Sequence, residues 1–151
     1  MSAPGRPASA PGPSRRSVRV RQVVNVVNLS TPLGIVVAKA GRGRLARGPH
    51  GLLLAKGYAA RFPAPRAPAV TIGDVVLLRL DERGLANRPQ LLDHEARHSV
   101  QYAFWLGPFG FLPAYLIASL RSWWLTGDFA LRNAFEVHAG LVDGGYVSGR
   151  R

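Results

Sequence analysis

The sequence predicts an α+β fold, in which a small N-terminal β-sheet is followed by helices. Three observations lead to this prediction. Short β-prone runs divided by glycine and proline occupy the first half of the chain, a helix with a clear start lies in the second half, and a strongly apolar stretch with one further helix follows. At 151 residues the chain has the length of one domain.

The predicted sheet is built from runs of β-branched and aliphatic residues. Residues 18–28, 35–37 and 52–54 form three such runs. The clearest strand covers residues 69–79, where Gly73 is expected to mark a bulge or a tight turn.

The first residues differ in composition from the rest. Residues 1–16 are rich in Pro, Gly, Ala, Ser and Arg, which is typical of a disordered tail. We therefore expect a single domain over residues 17–151. The tail has no continuous apolar segment of the kind found in a secretory signal peptide, so a cytoplasmic protein is expected.

A helix is predicted directly after the strand region. Residues 81–87 interrupt the strand pattern. Asn87 suits a helix N-cap and Pro89 suits the first helical turn, so we expect a helix from about Arg88 to about Tyr102.

The apolar stretch that follows raises the question of a membrane span, because residues 99–120 carry no charge. Glycines and prolines break its first part and leave a predicted helix over about residues 113–124, too short to cross a bilayer. We expect this helix to be buried or interfacial. The alternative is a membrane-associated protein in which residues 107–125 contact lipid. A last helix is predicted over residues 129–141, with Asp128 as its N-cap.

Composition limits the kinds of site that the chain can build. It has no cysteine, so a metal ion would need His, Asp or Glu ligands. The 20 basic residues against 8 acidic ones give a net charge of +12, which favours anionic partners. The arginines are scattered without a nucleic-acid-binding signature, so we do not expect nucleic acid as a partner.

The predicted helix carries the pattern His94-Glu95-Ala96-Arg97-His98. Two histidines four residues apart lie on one helical face, so both imidazoles can reach the same ion. Zn²⁺ accepts neutral imidazoles, and a catalytic zinc site keeps one position for water. Glu95 is placed to act as general base on that water. The alternative is a solvated polar face on which Glu95 pairs with a cation.

A third ligand is needed for this interpretation. Glu136, 38 residues after His98, is the best candidate, because its neighbours are small and apolar and a buried carboxylate would need a cation. His138 and Asp143 are the substitutes, although His138 points about 200° around the helix from Glu136. The alternative is that Glu136 is an ordinary exposed acid.

Three segments resemble a known family. AVTIGDVV at residues 69–76, followed by LLDHEARHSVQY at residues 91–102, resembles the zincin-like metallopeptidase domains of bacteria, in which a strand leads into a helix with an HExxH followed by Val-Gln. NAFE at residues 133–136 is similar to the segment that supplies a glutamate ligand in gluzincin-like members. The resemblance covers about residues 69–146.

The resemblance implies a zinc-dependent hydrolase, with His94, His98 and Glu136 as zinc ligands and Glu95 as the catalytic residue. It also implies a peptide or protein substrate that adds to the strand at residues 70–78. The alternative is an accessory module in which zinc serves the structure alone.

The sequence departs from the gluzincin-like pattern in two places. Gly140 stands four residues after Glu136, where those proteins have an acid, so Asp143 would have to replace it. No downstream residue is an assured oxyanion donor, and Tyr146 could serve only if the C-terminal segment folds back.

Overall fold

The computed structural model describes residues 13–146 of the chain. Within this range two helices precede a small four-stranded sheet and four helices follow it, so the predicted α+β class is confirmed, although the sheet does not come first as expected. Most of the predicted tail, up to residue 12, lies outside the described residues. Arg15 and Arg16 already belong to the first helix, although both were assigned to the tail.

The first two elements are helices, α1 (Arg15–Val27) and α2 (Ser30–Ala40), so the prediction of strands at residues 18–28 and 35–37 was wrong. The buried residues of α1 are Arg21 and Asn25, which have helical spacing, while most of its valines face outward. Tertiary contacts of this polar face therefore override the β propensity of the valines.

The sheet has four strands: β1 (Arg44–Arg47), β2 (Leu53–Lys56), β3 (Ala69–Ile72) and β4 (Val75–Leu78). Their order is β1-β2-β4-β3. The β2–β4 pair is parallel, and the β1–β2 and β3–β4 pairs are antiparallel. The strand predicted at residues 52–54 thus corresponds to β2.

The long strand predicted at residues 69–79 is a hairpin. Gly73 lies in its turn with φ of 62°, a conformation that favours glycine, so the prediction of a tight turn there is confirmed. Both faces of the sheet are buried, because Val75 and Leu77 face one apolar cluster while Val76 and Leu78 face the other. β3 forms one edge of the sheet.

Helix α3 (Glu82–Ala86) precedes the motif helix α4 (Leu91–Phe104). Asp81 caps α3 by accepting a hydrogen bond from the Gly84 amide, 2.7 Å away. Asn87 is the C-cap of α3, so its prediction as the N-cap of the motif helix was wrong. The motif itself lies on a helix, as predicted.

The apolar stretch forms α5 (Pro108–Thr126), and the last helix is α6 (Ala134–Ala139). α5 starts earlier than predicted and runs through Pro113. α6 is shorter than predicted: Asp128 caps only a turn, whereas Asn133 caps the helix and Gly140 ends it with φ of 97°. No single helix in the described range is long and apolar enough to cross a membrane. The pairs α1–α2 and α4–α5 have the necessary length and apolarity only when the two helices are taken together, and each pair is sharply bent.

Candidate metal centre

Three predicted ligands meet in the interior. His94 and His98 of α4 lie beside Glu136 of α6, and their side-chain donor atoms are all within 4.8 Å of one another. The two Nε2 atoms are 3.1 Å apart, and they lie 3.3 and 3.5 Å from the nearer Glu136 oxygens. All three residues are buried, with at most 7 % of their surface exposed. They therefore form neither a solvated helix face nor an exposed acid.

Hydrogen bonds on the outer side of each ring fix the orientation of the histidines. His94 Nδ1 donates to the Ala139 and Gly140 carbonyls, at 3.1 and 3.0 Å. His98 Nδ1 donates to Gln101 Oε1 at 2.8 Å, and the Gln101 amide orientation is set by its own donation to a backbone carbonyl. In neutral rings both protons are therefore on Nδ1, and both Nε2 lone pairs face the space between the ligands.

This arrangement fits a bound cation. Glu136 Oε2 is buried and has no hydrogen-bond partner among residues 13–146, and the neutral His94 ring beside it has no proton on Nε2 to offer. Two lone pairs and a carboxylate oxygen packed this closely repel one another unless a positive charge lies between them. The cluster could hold a metal ion.

Glu95 lies next to the ligand cluster and is 4 % exposed. Thr71 of β3 donates a hydrogen bond to its Oε2 at 2.7 Å, so the edge strand orients this carboxylate. Burial raises the pKa of Glu95 above its ordinary value, and the positive charge that His98 and His94 can carry opposes this rise only in part.

Tyr115 of α5 donates a hydrogen bond to Glu136 Oε1. Burial opposes ionisation of Glu136, but His94 and His98, when they carry a proton on Nε2, and Tyr115 outweigh it and hold the pKa of this carboxyl well below its usual range. Sequence reasoning missed Tyr115, because a tyrosine within a long apolar run has no pattern that distinguishes it from core packing. The same contact, together with burial, raises the pKa of Tyr115.

The substitute ligands do not join the cluster. Asp143 forms an ion pair of 2.6 Å with Arg97. It is therefore neither a ligand nor a replacement for the acid that gluzincin-like proteins have four residues after the glutamate. The Ala139 and Gly140 carbonyls contact His94 Nδ1 in its place. His138 is exposed and reaches only as far as Gln101, as expected of a group outside the cluster.

The segment after α6 folds back over the cluster. Gly144 packs on the His94 ring so closely that a Cβ there would lie 2.7 Å from the ring carbon Cε1. The Tyr146 ring lies 6.1 Å from the His94 ring, so the fold-back required for Tyr146 to approach the site does occur. Sequence reasoning did not identify Gly144 as part of the site.

A buried polar network supports the motif helix from the other side. Asp74, in the β3–β4 turn, accepts hydrogen bonds from Arg21, Thr31 and Ser99, at 2.8, 3.0 and 2.7 Å. Because Ser99 follows His98 directly, the network joins α1, α2 and the sheet to the helix that carries the histidines. Its members are distant in sequence, and no local pattern indicated it.

A cavity of about 510 Å³ leads to the cluster. Its base is formed by His94, Glu95, His98 and Glu136, with Tyr146 beside them. Its walls are largely apolar and come from α2, the segment at residues 62–67, β3 and α5.

The site can therefore bring a small molecule or a chain segment to a place where two imidazoles and two carboxylates converge.

Comparison with protein-family models, with curated proteins and with solved structures found no match to this chain.

Proposed function

We propose that the protein is a zinc-dependent hydrolase and that it acts as a peptidase. The observation that carries the proposal is the convergence of two Nε2 lone pairs and the Glu136 carboxylate on one buried point, with Glu95 beside them at the base of a cavity. This is the combination that the resemblance to gluzincin-like metallopeptidases implies.

The spacing of the donor atoms supports zinc. Ligand atoms bound at about 2.0 to 2.1 Å around a tetrahedral ion are about 3.3 to 3.4 Å apart. His94 Nε2 lies 3.1 Å from His98 Nε2 and 3.3 Å from Glu136 Oε2, close to this spacing, and His98 Nε2 lies 3.5 Å from the other carboxylate oxygen, Oε1. Three protein ligands would leave one position for water, as in catalytic zinc sites.

His94, His98 and Glu136 would hold the zinc ion, which would acidify a water molecule and polarise the substrate carbonyl. Glu95 would accept a proton from that water as its oxygen bonds to the carbonyl carbon, and would deliver the proton to the amine nitrogen as the C–N bond breaks. Thr71 donates a hydrogen bond to Glu95 Oε2, so the other carboxylate oxygen, Oε1, is left for this proton transfer. The raised pKa of Glu95 brings it closer to the range in which a carboxylate both accepts and releases a proton near neutrality.

The cavity favours an extended peptide with apolar side chains. β3 is an edge strand and its residues 69–72 line the cavity, so a peptide can pair with its free edge and pass the ligand cluster. The apolar walls then contact the peptide side chains. Tyr146 lies near enough to His94 to be the candidate donor to the developing oxyanion.

The test combines metal analysis with turnover of a pool of internally quenched peptides. The purified protein is expected to hold about one zinc ion per chain and to cleave members of the pool. Glu95→Gln should keep the zinc and lose turnover, whereas His94→Ala should lose both. His138→Ala, which changes an exposed histidine outside the cluster, is the matched control and should keep both.

A second candidate is a zinc-binding module without turnover. One observation favours it: the cluster and its hydrogen bonds join α4, α5 and α6, so an ion there would hold these helices together. Zinc in both the native protein and Glu95→Gln, with no cleavage by either, would support this module and reject the peptidase.

A further inference from the structure

An apolar stripe runs along the exposed side of α5. At 100° per residue its side chains lie within an arc of about 140° and along about 22 Å of helix. Arg121, the one charged residue of α5, lies outside this arc. The stripe consists of side chains that are between 43 % and 80 % exposed: Phe109, Leu112, Leu116, Ile117, Leu120 and Trp124.

The stripe borders the opening of the cavity. Leu112 and Leu116 belong to the stripe and also line the cavity. On α2, Leu33 lines the cavity as well and is 36 % exposed, and Val36 one turn later is 64 % exposed. We call the α5 stripe together with Leu33 and Val36 the apolar rim. A contiguous apolar surface of this kind marks a place where a soluble domain meets a partner or a membrane.

The elements around the rim carry positive charge only. These elements are α2, α5 and residues 61–68, and their sequences contain no Asp or Glu. They carry four basic side chains, all exposed: Lys39, Arg61, Arg66 and Arg121. The rim therefore combines apolar side chains with a border of cations.

We propose that the apolar rim docks on the surface of an anionic lipid bilayer, with the cavity opening towards the lipid. The apolar side chains enter the boundary between headgroups and acyl chains, and the border cations contact lipid phosphates. Trp124, 80 % exposed, suits that boundary because its ring is apolar with one polar group. A second copy of the chain is a poor occupant, because the same cations would face one another.

The docking does not depend on bound metal, so it can be tested apart from turnover. The full chain is floated with vesicles of phosphatidylglycerol and phosphatidylcholine, and with vesicles of phosphatidylcholine alone. Binding is expected with the anionic vesicles, and it should weaken as salt is added. A shift of tryptophan emission to shorter wavelength should accompany binding.

Two pairs of variants locate the surface. Ile117→Asp should weaken vesicle binding by on the order of tenfold or more, because an aliphatic side chain that enters the bilayer on docking is replaced by an anion. Leu45→Asp, on β1 at the sheet edge opposite β3, makes the same kind of change away from the rim and should bind as the unchanged protein does.

The second pair tests the border charges by comparing two double variants that have the same net charge. Arg61→Gln with Arg66→Gln should weaken binding by about fivefold per arginine. Arg44→Gln with Arg47→Gln, both on β1, should have a smaller effect. Circular dichroism confirms that each variant is folded.

Three outcomes would overturn the proposal. The first is failure of the protein to float with anionic vesicles at low salt. The second is binding by Ile117→Asp equal to that of Leu45→Asp. The third is a stable dimer in sedimentation that Ile117→Asp dissociates and that shows no vesicle binding, because the rim would then be covered by a second copy.

Discussion

Thr71 Oγ1 lies 2.7 Å from Glu95 Oε2 and donates a hydrogen bond to it. One side chain is on the edge strand of the sheet and the other is on the helix that carries both histidines. The strand to which a peptide would add therefore also orients the proposed general base. A peptide paired with β3 and the Glu95 carboxylate would thus be positioned by the same strand, the peptide by its backbone and the carboxylate by the Thr71 hydroxyl.

This contact gives a prediction for Thr71→Val, which removes the hydroxyl but keeps the branched shape. Zinc content should be unchanged, because the Thr71 hydroxyl donates its hydrogen bonds to Glu95 and not to His94, His98 or Glu136. Turnover should fall by about ten- to hundredfold, since a misaligned base loses part of its contribution. Thr71→Ser keeps the hydroxyl and should retain most of the activity. Equal turnover by the valine and serine variants would show that Thr71 does not position Glu95.

Tyr115 gives a prediction about metal affinity. Tyr115→Phe removes the hydrogen bond to Glu136 Oε1 and should weaken zinc binding by about ten- to hundredfold, as expected for a residue that orients a ligand. Tyr102→Phe, at another buried tyrosine that lines the cavity, is the control and should leave the affinity unchanged. Competition with a chromophoric chelator measures both. Equal affinities for the two variants would argue against a role of Tyr115 in holding Glu136.

The central part of the site was accessible from sequence because it depends on local geometry. A spacing of four residues places His94 and His98 on the same helical face wherever the helix lies. Glu136 was identified by its setting, since an acid among small apolar residues implies burial beside a positive charge. Gly73 was recognised because few residues other than glycine adopt a positive φ in a turn. Each of these inferences needs only a few neighbouring residues.

The rest of the fold depends on contacts between distant residues. The valines of α1 indicated a strand, yet Arg21 and Asn25 both contact Asp74, about 50 positions away. A strand would separate two residues on one face by about 13 Å over four positions, whereas a helix brings them within about 6 Å along its axis, close enough to reach the same carboxylate. Tyr115 became a partner of Glu136 only when α5 and α6 packed together. The turn at residues 140–146, which brings Gly144 against His94, likewise follows from tertiary packing. No sequence window of helical or strand length contains these pairs.

The network around Asp74 gives a prediction about stability. Arg21 is 7 % exposed and Asp74 is 2 % exposed, so Arg21→Ala leaves a buried carboxylate without its cation. The free energy of unfolding should fall by about 3 to 5 kcal/mol. Arg19→Ala, an exposed arginine on the same helix, should change it by less than about 0.5 kcal/mol. Urea denaturation of both variants measures the difference. Equal losses would show that the Arg21–Asp74 pair contributes no more to the free energy of unfolding than an exposed arginine does.

Gly144 gives a prediction about zinc affinity in a variant that keeps all three proposed ligands but crowds one of them. In Gly144→Ala the new methyl group would lie 2.7 Å from His94 Cε1 and 2.9 Å from Nε2, so the ring or the backbone must move. Overpacking of this kind costs about 1 to 3 kcal/mol, and here the displaced group is a proposed zinc ligand. Zinc affinity should fall by about ten- to hundredfold, since 1.4 kcal/mol corresponds to a factor of ten. In Gly84→Ala, in α3, the new methyl group meets the Asp81 carboxylate at 3.1 Å and the Leu80 side chain at 3.3 Å, away from the cluster, so this variant should bind zinc as the unchanged protein does. If Gly144→Ala kept full zinc affinity, His94 could not be a ligand in the orientation that its contacts with Ala139 and Gly140 impose.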